Sequence, residues 1–224
     1  MTIKILTLFP EMFSVLNYSI LGKAIATGKI LVEAIDIRPY SLDKKHFKCD
    51  DMPFGGGAGM VMSVEPIYNA IEAIDPKREY HRIYLSPKGE ALTTKVAQHI
   101  AKRHGKLILL CGRYEGVDQR VIDLCIDQEI SIGDYVLTGG ELGAMVLVDA
   151  VSRYVHGVLG NNESAIDESF SDNLLEYPHY TRPAEFKGLT VPDVLISGHH
   201  KKVADWRKEQ SLIITKERRP DLLK

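Results

Sequence analysis

Ser131-Ile132-Gly133-Asp134-Tyr135-Val136-Leu137-Thr138-Gly139-Gly140-Glu141-Leu142 is the stretch on which the reading of this chain turns. A short β-type run, Tyr135–Thr138, is bracketed by Gly133 and the Gly139-Gly140 pair. Glycines so placed let backbones approach closely or take positive φ, and they leave amide and carbonyl groups bare. A strand-ending loop with donors and acceptors set in advance suits a flat heterocycle with a polar tail. An ordinary tight turn explains a lone Gly-Gly pair at least as well.

Two further loops change that balance. Leu107-Ile108-Leu109-Leu110-Cys111 is a continuous apolar run that stops at Gly112 and releases Arg113-Tyr114-Glu115-Gly116 before a helical pattern. Such a run marks a strand buried on both faces. Arg82-Ile83-Tyr84-Leu85 likewise ends in Ser86-Pro87-Lys88-Gly89. Ligands of open α/β sheets bind beyond the carboxyl ends of the strands, so three loops of this kind read as one site.

Ile3–Phe9, Ile30–Ile37, Arg82–Leu85 and Leu107–Cys111 are expected as strands. Pro10–Leu16, Ile20–Thr27, Glu65–Ile74, Thr94–His104, Val117–Ile126 and Glu141–Val155 are expected as helices, with Gly28 and Gly105 at C-caps. This alternation implies an α/β fold, a mostly parallel sheet with helices on both faces, over residues 1–160. Residues 161–178 hold five acids and no Lys or Arg, which reads as an acidic linker. Residues 179–224 read as a small α-helical domain.

Composition excludes several classes. Of 224 residues 45% are hydrophobic and 26% charged, ordinary for a globular chain. No apolar run reaches bilayer length, and Met1-Thr2-Ile3-Lys4 leads into a strand rather than a signal peptide, so no membrane partner and a cytoplasmic location are expected. Cys49, Cys111 and Cys125 form no CxxC pair, which argues against a disulfide framework or zinc site. Neither a P-loop nor a dinucleotide fingerprint is present, which counts against an NTPase or a dehydrogenase. The net charge is −2, yet residues 199–224 carry eight Lys/Arg against four Asp/Glu. That tail is either a solvated helical face or a surface that steers a polyanion. The cluster Gly55-Gly56-Gly57-Ala58-Gly59 is either a mobile loop or a substrate loop. The helix Glu141–Val155 is apolar almost all round, which suits a core or a subunit interface. Within it Asp149 and Arg153 are spaced for an ion pair, or Arg153 presents a cationic fork to a ligand oxygen.

Seven motifs in order now point to a family. They are Leu8-Phe9-Pro10-Glu11-Met12-Phe13, Gly55–Met60, Leu85-Ser86-Pro87, Cys111–Gly116, Ile132–Glu141, Pro178-His179-Tyr180-Thr181-Arg182-Pro183 and Ser197-Gly198-His199-His200. Together they resemble the bacterial tRNA (guanine-N1)-methyltransferases of the SPOUT class, essentially from end to end. The resemblance implies a trefoil knot, which general folding rules disfavour. It implies S-adenosylmethionine as methyl donor, tRNA as substrate and a homodimer with shared active sites. Methylation of another RNA, or RNA binding without catalysis, are the alternatives.

Carried over by position, cofactor contacts fall on Leu85, Ser86, Pro87, Gly112, Tyr114, Glu115, Ile132, Gly133, Asp134, Tyr135, Val136, Leu137, Gly139 and Gly140. RNA contacts fall on Gly57, Gly59, Ser169, His179, Arg182 and His199. Glu168 takes the general-base position and Arg153 the position that stabilises charge on the guanine. The resemblance assigns no metal ligands, although Mg2+ is associated with the family's turnover. The family usually carries Asp at 168 and Pro at 143, and it continues beyond Lys224, which implies a shortened tRNA-binding domain here.

Overall fold

The computed structural model describes residues 1–159, 169–170 and 172–224. Residues 160–168 and 171, and therefore Glu168, lie outside the described residues. The chain divides into two compact units, Met1–Gly160 and Asn161–Lys224.

In the first unit the elements run β1 (Thr2–Thr7), α1 (Ser19–Ala26), β2 (Leu31–Asp36), β3 (Asp50–Asp51), β4 (Val61–Met62), α2 (Val64–Ile74), β5 (His81–Ala91), α3 (Thr94–Arg103), β6 (Lys106–Cys111), α4 (Gln119–Cys125), β7 (Gln128–Ser131) and α5 (Glu141–Ser152). Five strands form one sheet in the order β2-β1-β6-β5-β7, every neighbouring pair parallel. The most apolar strand, β6, lies at the centre, where both faces are covered. Alternation along it sends Leu107, Leu109 and Cys111 to one face and Ile108 and Leu110 to the other. The first face packs under α3 and α5 through Ala97, Ile100, Ala144, Leu147, Val148 and Val151. The second packs under α2 and α4 through Ile67, Ala70, Ile71, Val121 and Cys125.

Local chemistry sets the ends. The Thr93 side chain accepts from the Val96 amide at the start of α3, and Asp118 accepts from Arg120 at the start of α4. Gly28 follows α1 with φ +68, the left-handed C-terminal conformation expected of it. Gly105 does not repeat this: extended His104 closes α3, and the Gly105 carbonyl accepts from Thr2 N–H at 2.9 Å. Pro10–Asn17 winds as a 3₁₀ helix.

The run Tyr135–Thr138 is not a strand. The strand of that region is β7, which pairs only with β5 and ends at Ser131. The next segment does not pair with the free edge of β7, and its β-type side chains face outward, Val136 at 84% exposure. Strand β5 is also interrupted. Leu85 and Glu90 both pair with Ile130, so Ser86–Gly89 is looped out of the ladder.

The second unit contains a two-residue hairpin, β8 (Glu185–Phe186) with β9 (Leu189–Thr190), then α6 (Asp193–Ile196), α7 (His200–Arg218) and a closing 3₁₀ turn. The hairpin is too short to leave an alternating pattern in the sequence. In this unit the Leu175 amide donates to Thr215 Oγ1 at 2.8 Å, so the described part of the acidic segment is bonded to α7. Among the described residues no helix is long and apolar enough to cross a membrane.

Candidate active site

Three loops, one interrupting β5 after Leu85 and two leaving the carboxyl ends of β6 and β7, enclose a cleft of about 280 Å³ in the first unit. They are Ser86–Gly89, Gly112–Gly116 and Ile132–Gly140. Parallel strands place these ends on one rim, which is why loops far apart in sequence converge there. Leu85, Ser86, Pro87, Gly112, Tyr114, Glu115, Ile132, Gly133, Tyr135, Val136, Leu137, Gly139 and Gly140 line the cleft, whereas Asp134 does not.

The glycines have separable reasons. Gly140 has φ −79, so positive φ is not what it supplies. A Cβ there would lie 2.9 Å from Cys111 Cα and 3.0 Å from the Gly112 nitrogen, and the Gly140 N–H donates to Gly112 O at 2.9 Å. Close approach of two backbones is the requirement. Gly133, at φ +146, does need the glycine conformation, as does Gly116 at φ +130. Tyr114 takes φ +59, an unfavourable conformation for a residue with a side chain. Such outliers concentrate in binding loops.

The walls are mostly neutral or paired. Burial, then the Glu129 carboxylate, push the Tyr84 phenol up, so it lines the cleft as an intact O–H. Burial and the Glu141 charge hold the Cys111 thiol well above its ordinary range, which removes it as a nucleophile. Glu141 pairs with Arg113 at 3.1 Å. Tyr84, Arg113 and Glu141 lie in stretches quoted above, yet the sequence gives none of them a role in the site. The available signal is a lone acid opening an apolar helix, because a buried carboxylate requires a partner.

Of the remaining expected site residues in the first unit, Arg153, Gly57 and Gly59 do not line this cleft. Arg153 closes α5 at the end remote from Gly140, about 20 Å away at 1.5 Å per residue. Gly57 and Gly59 have φ +121 and +84 in a loop whose base is bonded to the cleft: Glu115 N–H donates to Met60 O and Met62 N–H to Gly116 O. Ser169, His179, Arg182 and His199 belong to the second unit. There the Ser169 hydroxyl accepts from the Glu176 amide, His179 meets Glu176 at 2.9 Å, and Arg182 and His199 are exposed. Among the described residues no group of three or more His, Cys, Asp or Glu is placed to hold a metal ion.

A family model described as tRNA (Guanine-1)-methyltransferase TrmD matches residues 1–224. The chain belongs to that family. It is 58% identical over 225 residues to a tRNA (guanine-N(1)-)-methyltransferase of Carboxydothermus hydrogenoformans, covering 100% of this chain and 88% of that protein. It is 53% identical over 224 residues to the protein of the same description from Clostridium botulinum, covering 100% and 92%. Against that of Clostridioides difficile the identity is 53% over 228 residues, covering 100% and 98%. Family membership gives the three-loop cleft a methyltransferase context. A cleft edged by main chain, with backbones too close for any side chain at Gly140, fits a nucleoside-type methyl donor.

Proposed function

We propose that this protein transfers a methyl group from S-adenosylmethionine to N1 of the guanine immediately 3′ of the anticodon in tRNA. The observation that carries this is the cleft of three strand-ending loops in a chain whose relatives are tRNA (guanine-N(1)-)-methyltransferases over their whole matched length. Methylation of another RNA has no observation in its favour.

When bound, S-adenosylmethionine supplies an electrophilic sulfonium methyl, so no metal is needed to activate it. The protein's part is to orient the donor and to make guanine N1 nucleophilic. Glu168 accepts the N1 proton as the new N–C bond forms and the S–C bond breaks. Arg153 stabilises the negative charge that develops on O6. We assign no residue to a divalent ion.

Two features support a homodimeric site. Arg153 stands about 20 Å along α5 from Gly140, which favours its serving the cleft of another copy. Leu142 and Val146, one turn apart on α5, are 51% and 46% exposed, an apolar stripe suited to a subunit contact. We also read the Gly112–Gly140 region as the trefoil knot, supported by the antiparallel bridge between Arg113 and Gly139. The second unit, with its basic tail, is read as the tRNA-binding domain, and the cytoplasm as the compartment where tRNA is met.

The test is methyl transfer to undermodified tRNA, followed by nucleoside mass spectrometry. Glu168→Gln should lower turnover by about a hundredfold or more with donor affinity unchanged. Glu168→Asp should retain activity. Normal turnover by Glu168→Gln alongside a dead Asp167→Asn would move the base to Asp167.

A further inference from the structure

The most buried charge beside the cleft is not aimed into it. The side chain of Glu141, in the first turn of α5, is 1% exposed, and that of its partner Arg113 is 18% exposed. Glu141 Oε1 accepts from Thr7 Oγ1 at 2.9 Å and from Arg113 Nε at 3.2 Å, while Oε2, 3.1 Å from the same Nε in the ion pair, accepts no hydrogen bond of its own. A buried pair left part-satisfied contributes little net stability, so its value lies in the geometry it imposes.

That geometry converges on one peptide of the cleft. Arg113 Nη1 donates to the Thr138 carbonyl at 3.2 Å. The guanidinium carbon sits 4.4 Å from the centroid of the Phe9 ring, and Nη2 lies 3.6 Å from the Met12 sulfur. Thr7 completes the seat by accepting the Phe9 amide at 2.9 Å. The stretch Leu8–Phe13 is conspicuous in the sequence but absent from the cleft lining. Its part is to hold Arg113 from behind.

The pair also explains Gly139. A Cβ there would stand 2.4 Å from Arg113 Nε and 2.6 Å from Glu141 Oε2, so the clamp fills the space a side chain would need. Because a trans peptide sets C=O and N–H on opposite sides, a Thr138 carbonyl turned to Arg113 turns the Gly139 N–H away from it. A ligand read by main-chain donors and acceptors is sensitive to that orientation. A flip of the peptide would exchange a donor for an acceptor.

We propose that Arg113, clamped by Glu141 and seated on Phe9, is a positioning residue that fixes the Thr138–Gly139 peptide for donor binding. The proposal rests on the reading that this cleft takes S-adenosylmethionine. Arg113 acts through the peptide and not by touching the reacting atoms.

The experiment is titration calorimetry with S-adenosylmethionine, together with steady-state kinetics on full-length protein. Arg113→Met should raise Kd and KM for the donor by about ten- to a hundredfold, the scale of one charge-assisted hydrogen bond. The kcat at saturating donor and the KM for tRNA should stay within about twofold, since uniform donor binding is what is lost. Arg113→Lys keeps the charge but not the fork, and should fall between Met and the unchanged protein. Phe9→Leu should weaken donor binding severalfold although Phe9 does not line the cleft. Joining Arg113→Met to Glu141→Met should add little beyond the larger single loss, as expected for one coupled unit. A lower Tm with unchanged donor KM in the surviving enzyme would reduce the pair to scaffolding and overturn the proposal. If Arg113→Met does not fold, unchanged donor affinity in both Arg113→Lys and Phe9→Leu overturns it equally. Absence of donor binding by the unchanged protein would overturn the cofactor reading and the clamp with it. Normal binding there, with unimpaired Arg113→Met, would overturn the clamp alone.

Discussion

The chain carries two glycine clusters that resemble each other in composition and differ in physics. At Gly139 and Gly140 the backbone has no need of positive φ, and an added Cβ would strike Arg113 and Glu141 at one position and the Cys111–Gly112 backbone at the other. At Gly55, Gly56 and Gly57 φ is +88, +78 and +121, and a Cβ would meet nothing within 4 Å. The first cluster is glycine because space is absent, the second because of conformation. A ligand edge that must not move calls for the first kind. A loop that meets a large partner tolerates the second.

The comparison breaks most visibly at Gly140. Gly140→Val should weaken S-adenosylmethionine binding by more than about a hundredfold in calorimetry, because the added carbons meet backbone that cannot yield. Gly56→Ala should leave that affinity within about twofold, since its strain is local and exposed. Equal losses from the two would erase the distinction.

Gly59 combines both constraints and should lie between them. It has φ +84, and its Cβ position is 2.4 Å from Glu115 Oε1, the end of a side chain able to swing aside. Gly59→Ala should therefore lower Tm by roughly 2–8 °C, the equivalent of about 1–2 kcal/mol of left-handed strain. An unchanged Tm would show that this loop leaves the positive-φ conformation freely.

The smallest signal is chemical. Burial pushes the Cys49 thiol up to about 11, raises Cys125 and holds Cys111 well above its ordinary range. Native protein should resist iodoacetamide at pH 8 and react at all three cysteines in denaturant. Cys111 lies against Gly140, so Gly140→Val should make it the first cysteine to label, and Gly56→Ala should not. Labelling of Cys111 in the unchanged protein would show that the packing around Gly140 opens on its own.

The legible parts share a cause. Strands β1, β2, β5 and β6 and most helices follow from apolar periodicity because each is buried along a face or on both. Strand β7 leaves no such pattern, since Gln128-Glu129-Ile130-Ser131 holds one apolar side chain at a sheet edge. Tyr135–Thr138 reads as a strand and is not one, because β-branched and aromatic residues serve an exposed ligand edge as readily as a ladder. The three cleft loops are legible because strand ends are local features. The placement of Asp134 outside the cleft lining is not, as it depends on how the loop bends.

By itself, then, the sequence determined the α/β class, the loops at the strand ends and the family, because periodicity, glycine placement and motif order are written along the chain. Only the tertiary structure decided which glycines are there for space and which for φ. It alone joined Thr7, Phe9, Arg113 and Glu141 across as many as 134 positions. Charge pairing and steric exclusion act through space, and separation along the chain carries no record of them until the sheet brings the strand ends together.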